Sequence, residues 1–273
     1  MRKRAAGFFA LLIIILAMAL CLPALQASAG PVLDRIKKNK VIVVGADPTY
    51  PPLMAKATDG EMIGYEVDLV KVLAGLLKVK VQFKEIPFDK LLAAVEQGQV
   101  DIALSGITIT PERNARVMFA GPHMVAGQSV ITTKKEAFHL QSPVSLNQPQ
   151  ITVAAAKGTT SEMAVKELLP KAKYISVDSQ EAALKLVLNG KAKAAIADFP
   201  FCALASFRYA DKDIVTTEKA FTFEPLGIAL SAQDPQLHNL LQNFLLLLQG
   251  SGRLEEIQAR WFKRSDWMKR LPK

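Results

Sequence analysis

The chain has 273 residues, half of them apolar, with 34 Lys and Arg against 25 Asp and Glu and a formal net charge of +9. Three of the basic residues and no acid stand in the first 29, so the remainder carries +6, spread without a basic and aromatic cluster, which argues against nucleic acid as a partner. Two cysteines and the three well-separated histidines His123, His139 and His238 leave no disulfide framework and no metal-ligand spacing.

The chain opens on Arg2, Lys3 and Arg4, runs apolar from Ala5 to Leu22 and reaches Ala27-Ser28-Ala29, the form of an export signal with a small-residue cleavage site. A membrane anchor is the alternative, but Pro23 and the cleavage pattern favour removal. Cys21 follows Leu20, where a lipid-attachment signal has a small residue. The expected mature protein starts near Gly30 in the periplasm and keeps one cysteine, Cys202. That residue sits in the apolar stretch 199–205 and reads as a small buried hydrophobe. No later segment is long and apolar enough to span a bilayer; Leu240 to Leu248 is interrupted by Gln242 and Asn243.

Short β-branched runs then alternate with helical periodicity. Strands are predicted at 41–44, 80–83 and 102–104, with helices over 66–77 and 88–97, the second stopped at Gly98. This alternation predicts a parallel α/β sheet. After a Gln-, Ser- and Pro-containing loop over 136–150 a second series follows, with strands at 151–156, 174–177 and 194–197. Helices over 162–169 and 179–188 separate them. Residues 97–106 and 189–198 echo each other as helix end, glycine stop, apolar strand and small polar residues. Two similar α/β lobes are expected, the first from 30–127 with 226–273, the second from 128–225. Helices over 235–249 and 253–262 would pack on the first lobe. Chain crossings at 127–133 and 216–226 would form a hinge.

Ligands of open parallel sheets gather beyond the carboxyl ends of the strands. Three such ends carry unusual residues: Gly45 to Tyr50, Ser105-Gly106-Ile107-Thr108, and Asp198. Thr110-Pro111-Glu112 has the pattern of a helix start, which puts Arg113 in a first turn where a cation opposes the dipole. A pairing with Glu112 accounts for it, and so does a carboxylate ligand gripped by the guanidinium. Thr159 with Glu162 fits a capping box, and the turn at Thr159-Thr160 also suits an anion. Asp198 reads either as a helix cap or as the partner of an ammonium group. Tyr50 and Phe88 read as core aromatics or as ligand walls, and Asp47 as the cap of its own turn or as a contact for a polar side chain.

With these residues in view, Gly64-Tyr65-Glu66-Val67-Asp68-Leu69, Ser105 to Arg113 and Lys157 to Thr160 resemble the extracellular solute-binding family 3, the polar amino-acid receptors of ABC importers. The resemblance runs from about Val32 to Trp261. It implies a two-lobed fold of the periplasmic-binding-protein type II class and a monomer that hands an amino-acid-like ligand to a membrane permease, with no cofactor and no chemistry of its own. Carried over residue by residue, it implies that Arg113 holds the α-carboxylate with Thr108, Thr159 and Thr160, while Asp198 and the Gly106 carbonyl hold the α-ammonium group. Ser105 belongs to the same segment. Tyr50 and Phe88 would flank the side chain and Asp47 would reach its polar end. Gly121-Pro122-His123 departs from the family's usual Asp-Pro-Tyr. The rival expectations are a dehydratase on the same fold, in which a glutamate follows the strand-end aspartate by three residues where this chain has Phe201, and a sensor lobe of a larger membrane protein.

Overall fold

The computed structural model describes residues 30–137 and 143–272. The expected export signal, and residues 138–142 of the expected long loop with His139, lie outside the described residues. In chain order the first elements are α1 (Pro31–Asn39), β1 (Val41–Ala46), β2 (Thr49–Tyr50), β3 (Met54–Lys56), β4 (Met62–Ile63), α2 (Tyr65–Leu77), β5 (Lys80–Glu85), α3 (Leu91–Glu96), β6 (Ile102–Ala103), α4 (Pro111–Asn114) and β7 (Met118–Ala126). After Gly127 come β8 (Gln128–Thr133), α5 (Lys134–Ala137), α6 (Pro143–Leu146), β9 (Thr152–Ala156), α7 (Thr160–Leu168), β10 (Lys173–Val177), α8 (Gln180–Leu188), β11 (Ala194–Asp198), α9 (Phe199–Arg208) and β12 (Ile214–Thr216). The chain then returns through β13 (Glu224–Leu230) to α10 (Pro235–Gly250) and α11 (Arg253–Phe262).

The protein has two lobes, each built on a five-stranded sheet, in the orders β5-β1-β6-β13-β7 and β10-β9-β11-β8-β12. In the first sheet β1 runs parallel to β5 and β6. In the second, β9 runs parallel to β10 and β11. The expectation of a parallel sheet is corrected for the crossing strands. β13 is antiparallel to β6 and β7, and β8 is antiparallel to β11 and β12. The physical reason lies in connectivity: a strand that arrives from the other lobe enters the sheet without a βαβ crossover, so nothing forces it parallel.

Both sheets are covered on both faces, which explains their nearly continuous apolar strands. Ile42, Val44 and Ala46 of β1 and Val153, Ala154 and Ala155 of β9 are all buried. Helix α2 turns Val67, Val70, Leu73 and Ala74 into the first core, begins with Glu66 and Asp68 in its first turn, and ends at Lys78 in the left-handed region. Its start is one residue earlier than the periodicity predicts. The helix predicted over 88–97 is a 3₁₀ turn, Phe88–Lys90, followed by the shorter α3.

Chain order puts the strand ends of the two lobes face to face. The chain leaves the first sheet after β7, enters the second at β8, and comes back between β12 and β13. The two crossings touch at Gly127, where a Cβ would lie 2.1 Å from the carbonyl oxygen of Thr222. Only glycine fits that approach. Cys202 is fully buried in α9, and burial pushes its thiol pKa far up, so it is an inert packing residue.

Candidate functional site

The loop after β1 is fixed by Asp47. Its Oδ1 accepts from the Thr49 amide at 3.0 Å and the Thr49 hydroxyl at 2.7 Å, and its Oδ2 accepts from the Phe88 amide at 2.9 Å. Its own amide donates to Ser105 Oγ at 2.7 Å, tying the ends of β1 and β6 together. Asp47 therefore caps its turn, as one of the two sequence alternatives has it, and it also lines a cavity with Tyr50, Phe88, Ser105 and Thr159.

Gly106 follows Ser105 with φ +64°, and a Cβ there would come within 2.3 Å of Tyr50 Cε1. The glycine is what lets Tyr50 lie over this strand end. Its amide donates to both carboxylate oxygens of buried Glu66, at 3.0 and 3.1 Å, so the conspicuous Gly64 to Leu69 segment supports the site from behind. Residues 107–109 lie against the hinge strand, with Gly227 donating to the Ile107 carbonyl and Ile109 donating to that of Pro225.

Thr110 caps α4 through the Arg113 amide at 3.2 Å, which aims the arginine side chain into the cleft. Arg113 is 9% exposed. It does not pair with Glu112. Its Nη1 donates to the Thr108 carbonyl at 2.9 Å and its Nη2 to the Gly158 carbonyl of the second lobe at 3.0 Å, while its guanidinium stacks on Phe88 at 5.5 Å. Burial pulls the guanidinium pKa down, opposed by Asp198, Glu224 and Glu112. Phe88 thus serves as a wall of the cleft, and a second cavity opens beside Arg113, bounded by Ile107, Gly158 and Glu162.

From the second lobe, Thr159 caps α7 by accepting from the Glu162 amide at 3.2 Å. The reciprocal bond of a capping box goes one residue further out: Glu162 Oε2 accepts from the Gly158 amide at 2.7 Å. Thr160 Oγ1 faces Thr108 Oγ1 across the lobes at 3.4 Å.

Asp198 ends β11 and is 5% exposed. Its Oδ2 accepts from the Tyr50 hydroxyl at 2.6 Å and its Oδ1 from Gln128 Nε2 at 2.7 Å. Burial, chiefly, pushes its carboxyl up to about 6, with Glu224 adding to the rise and the Tyr50 and Gln128 hydrogen bonds opposing it. Burial and the neighbouring Asp198 raise the Tyr50 hydroxyl well above its ordinary value. Phe201, three residues on, is buried with its ring edge-on to Tyr50 at 6.2 Å.

All ten residues singled out in the sequence converge here, from the ends of β1, β5, β6, β9 and β11 and from α4. Three more were missed. Gln128 stands opposite Asp198 in the β8–β11 register, holds Asp198 and Thr160 through Nε2, and accepts from Ser161 Oγ at 2.7 Å. Gln180 approaches Asp198 from α8 at 3.4 Å. Glu66 supports Gly106. Of these, only Glu66 carries a visible signal, an acid inside a segment that turns out buried. His123 lies behind the site, 2% exposed, its Nε2 3.2 Å from Glu66 Oε1 but without hydrogen-bond alignment.

An arginine carried by the first lobe and an acid carried by the second, opposite in charge and both buried, face the same cleft. Comparison with known proteins agrees in outline. The model of the bacterial extracellular solute-binding proteins, family 3, matches residues 42–264. The crystal structure of the ancestral amino acid-binding protein AncCDT-1, a precursor of cyclohexadienyl dehydratase, is 39% identical with a TM-score of 0.79 over 84% of this chain and 99% of that one. A putative ABC-transporter binding component from Wolinella succinogenes, complexed with lysine, is 33% identical with a TM-score of 0.81 and the same coverage of each chain. The cyclohexadienyl dehydratase of Pseudomonas aeruginosa is 26% identical over 91% of this chain and 94% of its own. The chain belongs to the bacterial extracellular solute-binding proteins of family 3.

Proposed function

We propose that this protein captures a free amino acid between its lobes and delivers it to an ABC-type membrane permease. It works in the periplasm as a monomer, after loss of residues 1–29, and closes about the crossings at Gly127 and 217–223. The expected lobe limits, 30–127 with 226–273 and 128–225, move at the return crossing to 224, because Glu224 and Pro225 already pair with Ala126 and Val125 in the first sheet. The observation that carries this reading is the pair Arg113 and Asp198, buried and opposite in charge, with the Thr159-Thr160 turn beside them. The arginine takes the α-carboxylate through paired N–H bonds, and Asp198, Tyr50 and Gln128 surround the α-ammonium group. Phe88 and Tyr50 border the side chain. Buried Asp47, Asp198 and Glu224 outnumber Arg113, the one buried cation among the described residues, which favours a cationic side chain, in keeping with the lysine held by the Wolinella relative.

Closure follows from contacts that only the closed form makes with both ends of the ligand. Micromolar affinity is about −8 kcal/mol, within reach of a few charged hydrogen bonds of about 1.5–3 kcal/mol each. Isothermal calorimetry against lysine, arginine, histidine, glutamine and alanine tests the reading. Arg113→Ala is expected to lower affinity for every α-amino acid by about 30-fold or more, the effect of truncating one partner of a buried charge pair, with an unchanged circular-dichroism spectrum. Undiminished affinity in that variant rules out the role.

A dehydratase reading draws on the Pseudomonas relative. It requires a general acid in the cleft, and the position three residues after Asp198 carries the buried phenyl of Phe201. Formation of phenylpyruvate from prephenate by the purified protein would overturn the non-enzymatic reading.

A further inference from the structure

Gln180 is the first residue of α8. Ser179 caps that helix by accepting from the Ala182 amide at 3.1 Å, so the backbone beneath Gln180 is fixed. The side chain is 8% exposed and forms part of the cavity bounded by Asp47, Thr49, Tyr50, Phe88 and Ser105. Its Nε2 donates a long 3.4 Å bond to Asp198 Oδ2. Its Oε1 is buried and has no hydrogen-bond partner among the described residues. Turning the amide over would bring that oxygen against the Asp198 carboxylate, so the orphan acceptor cannot be removed by reassigning the ends. Buried acceptors without partners are rare and costly, and they persist where something outside the chain meets them.

The same cavity is lined by two carboxylates: Asp47, whose oxygens already serve Thr49 and Phe88, and Asp178, which lies exposed at the rim and pairs with Lys157 at 2.8 Å. Of the side chains lining this cavity, Gln180 is the one with a buried oxygen that has no partner among the described residues. Arg113 and Asp198 lie on either side of the α-group site, whereas Gln180 shares its cavity with the aromatic walls that border a ligand side chain. We infer that Gln180 is a specificity-determining ligand contact, which accepts through Oε1 an N–H from the far end of a ligand side chain ending in ammonium, guanidinium or amide. The inference rests on the amino-acid-binding reading above and adds to it the group that reads the side chain.

A role confined to steadying Asp198 would weaken every α-amino acid equally, because the α-ammonium group is common to all. A direct contact weakens only ligands with a distal donor. Calorimetry of wild type, Gln180→Met and Gln180→Glu with lysine, arginine and norleucine separates the two; norleucine has the lysine chain length without a terminal nitrogen. The wild type is expected to prefer lysine or arginine over norleucine. Gln180→Met keeps the volume and removes the amide, and is expected to lose about 10- to 150-fold for the basic ligands, the worth of one hydrogen bond to a charged group, while norleucine stays within about twofold. Gln180→Glu restores or exceeds the wild-type preference. Equal losses for all three ligands, or none, overturn the contact while leaving the amino-acid reading intact. Absence of binding of any amino acid to the wild type overturns both. Thermal midpoints of the two variants close to wild type establish that the comparison is between folded proteins.

Discussion

Asp198 is held at its two oxygens by residues from different parts of the molecule, Tyr50 from the first lobe and Gln128 from the hinge. Its carboxyl, pushed up from 3.8 to about 6, gives the folded state a stronger hold on the proton than the unfolded chain has. That contribution to stability is complete below about pH 4, the unfolded value, and is lost as pH rises through about 6. Its size is about 3 kcal/mol on the scale of 1.36 kcal/mol per pKa unit. Asp198→Asn cannot titrate. Relative to wild type, its unfolding free energy in urea is expected to improve by about this amount between pH 4 and 7. A constant offset is also expected, since an amide at this position turns an NH₂ toward the Gln128 donor, so the slope of the difference is the readout. A difference independent of pH would remove the burial argument. At this scale the places of Arg113 and Asp198 at the cleft are legible in the sequence, because a helix cap and a strand end are local signals. Gln128 and Gln180 gave none. Their meaning comes from the pairing of β8 with β11 and from the approach of α8 to β2, contacts between residues far apart in the chain.

Asp234 shows how one side chain joins elements that the sequence leaves separate. It precedes α10 and caps it, Oδ1 accepting from the Leu237 amide at 2.8 Å. Its Oδ2 accepts from the amides of Val32 and Leu33 at 2.9 and 2.8 Å, the first turn of α1 more than 200 residues away. Three helix-start donors meet one fully buried carboxylate, and both helix dipoles favour its charge. Asp234→Ala leaves all three donors buried without partners, at an expected cost of about 2–4 kcal/mol. The thermal midpoint should fall by about 5–15 °C, at 2–4 °C per kcal/mol for a chain of this size. Asp234→Asn keeps an acceptor and should recover part of the loss. A fall below about 2 °C for the alanine variant would mean that water replaces the carboxylate. Helix α1 itself escaped notice, although Val32, Leu33 and Ile36 form its buried stripe, because nine residues with lysine at the end give too short a period to read. Strand β7 leaves no pattern in the sequence because Gly121 and Pro122 interrupt it, and β8 reads only as a crossing. The helices with two or more clear turns of apolar spacing, α2, α8, α10 and α11, fall within a residue of the expected limits. Strand direction was the larger miss, since an antiparallel crossing strand has the same local composition as a parallel one.

On the scale of the whole molecule, covalent continuity and cleft chemistry pull on the same coordinate. The lobes are joined by Gly127 and by 217–223, and facing strand ends meet through a small number of polar contacts: Tyr50 to Asp198, Arg113 to the Gly158 carbonyl, Thr108 to Thr160, and Lys157 to Asp89 at 3.7 Å. Few bonds of modest strength allow both open and closed forms to be populated, so removing one should move the balance measurably. Tyr50 offers the cleanest change. Tyr50→Phe deletes the hydroxyl that reaches Asp198 and keeps the ring over Gly106, and the first lobe has no other need of that hydroxyl. A hydrogen bond to a carboxylate is worth about 1.5–3 kcal/mol, so the open-to-closed ratio without ligand should rise about 10- to 150-fold. Spin labels at two exposed helix positions, Leu76 on α2 and Leu168 on α7, report the distance between lobes without touching the cleft. The variant should broaden that distance distribution toward longer values, and a saturating basic amino acid should bring it back, because in the proposed binding mode ligand contacts with Arg113 and Asp198 replace the lost bond. An unchanged distribution would mean that closure rests on the other contacts, Arg113 to Gly158, Thr108 to Thr160 and Lys157 to Asp89, and that Tyr50 acts only as a wall.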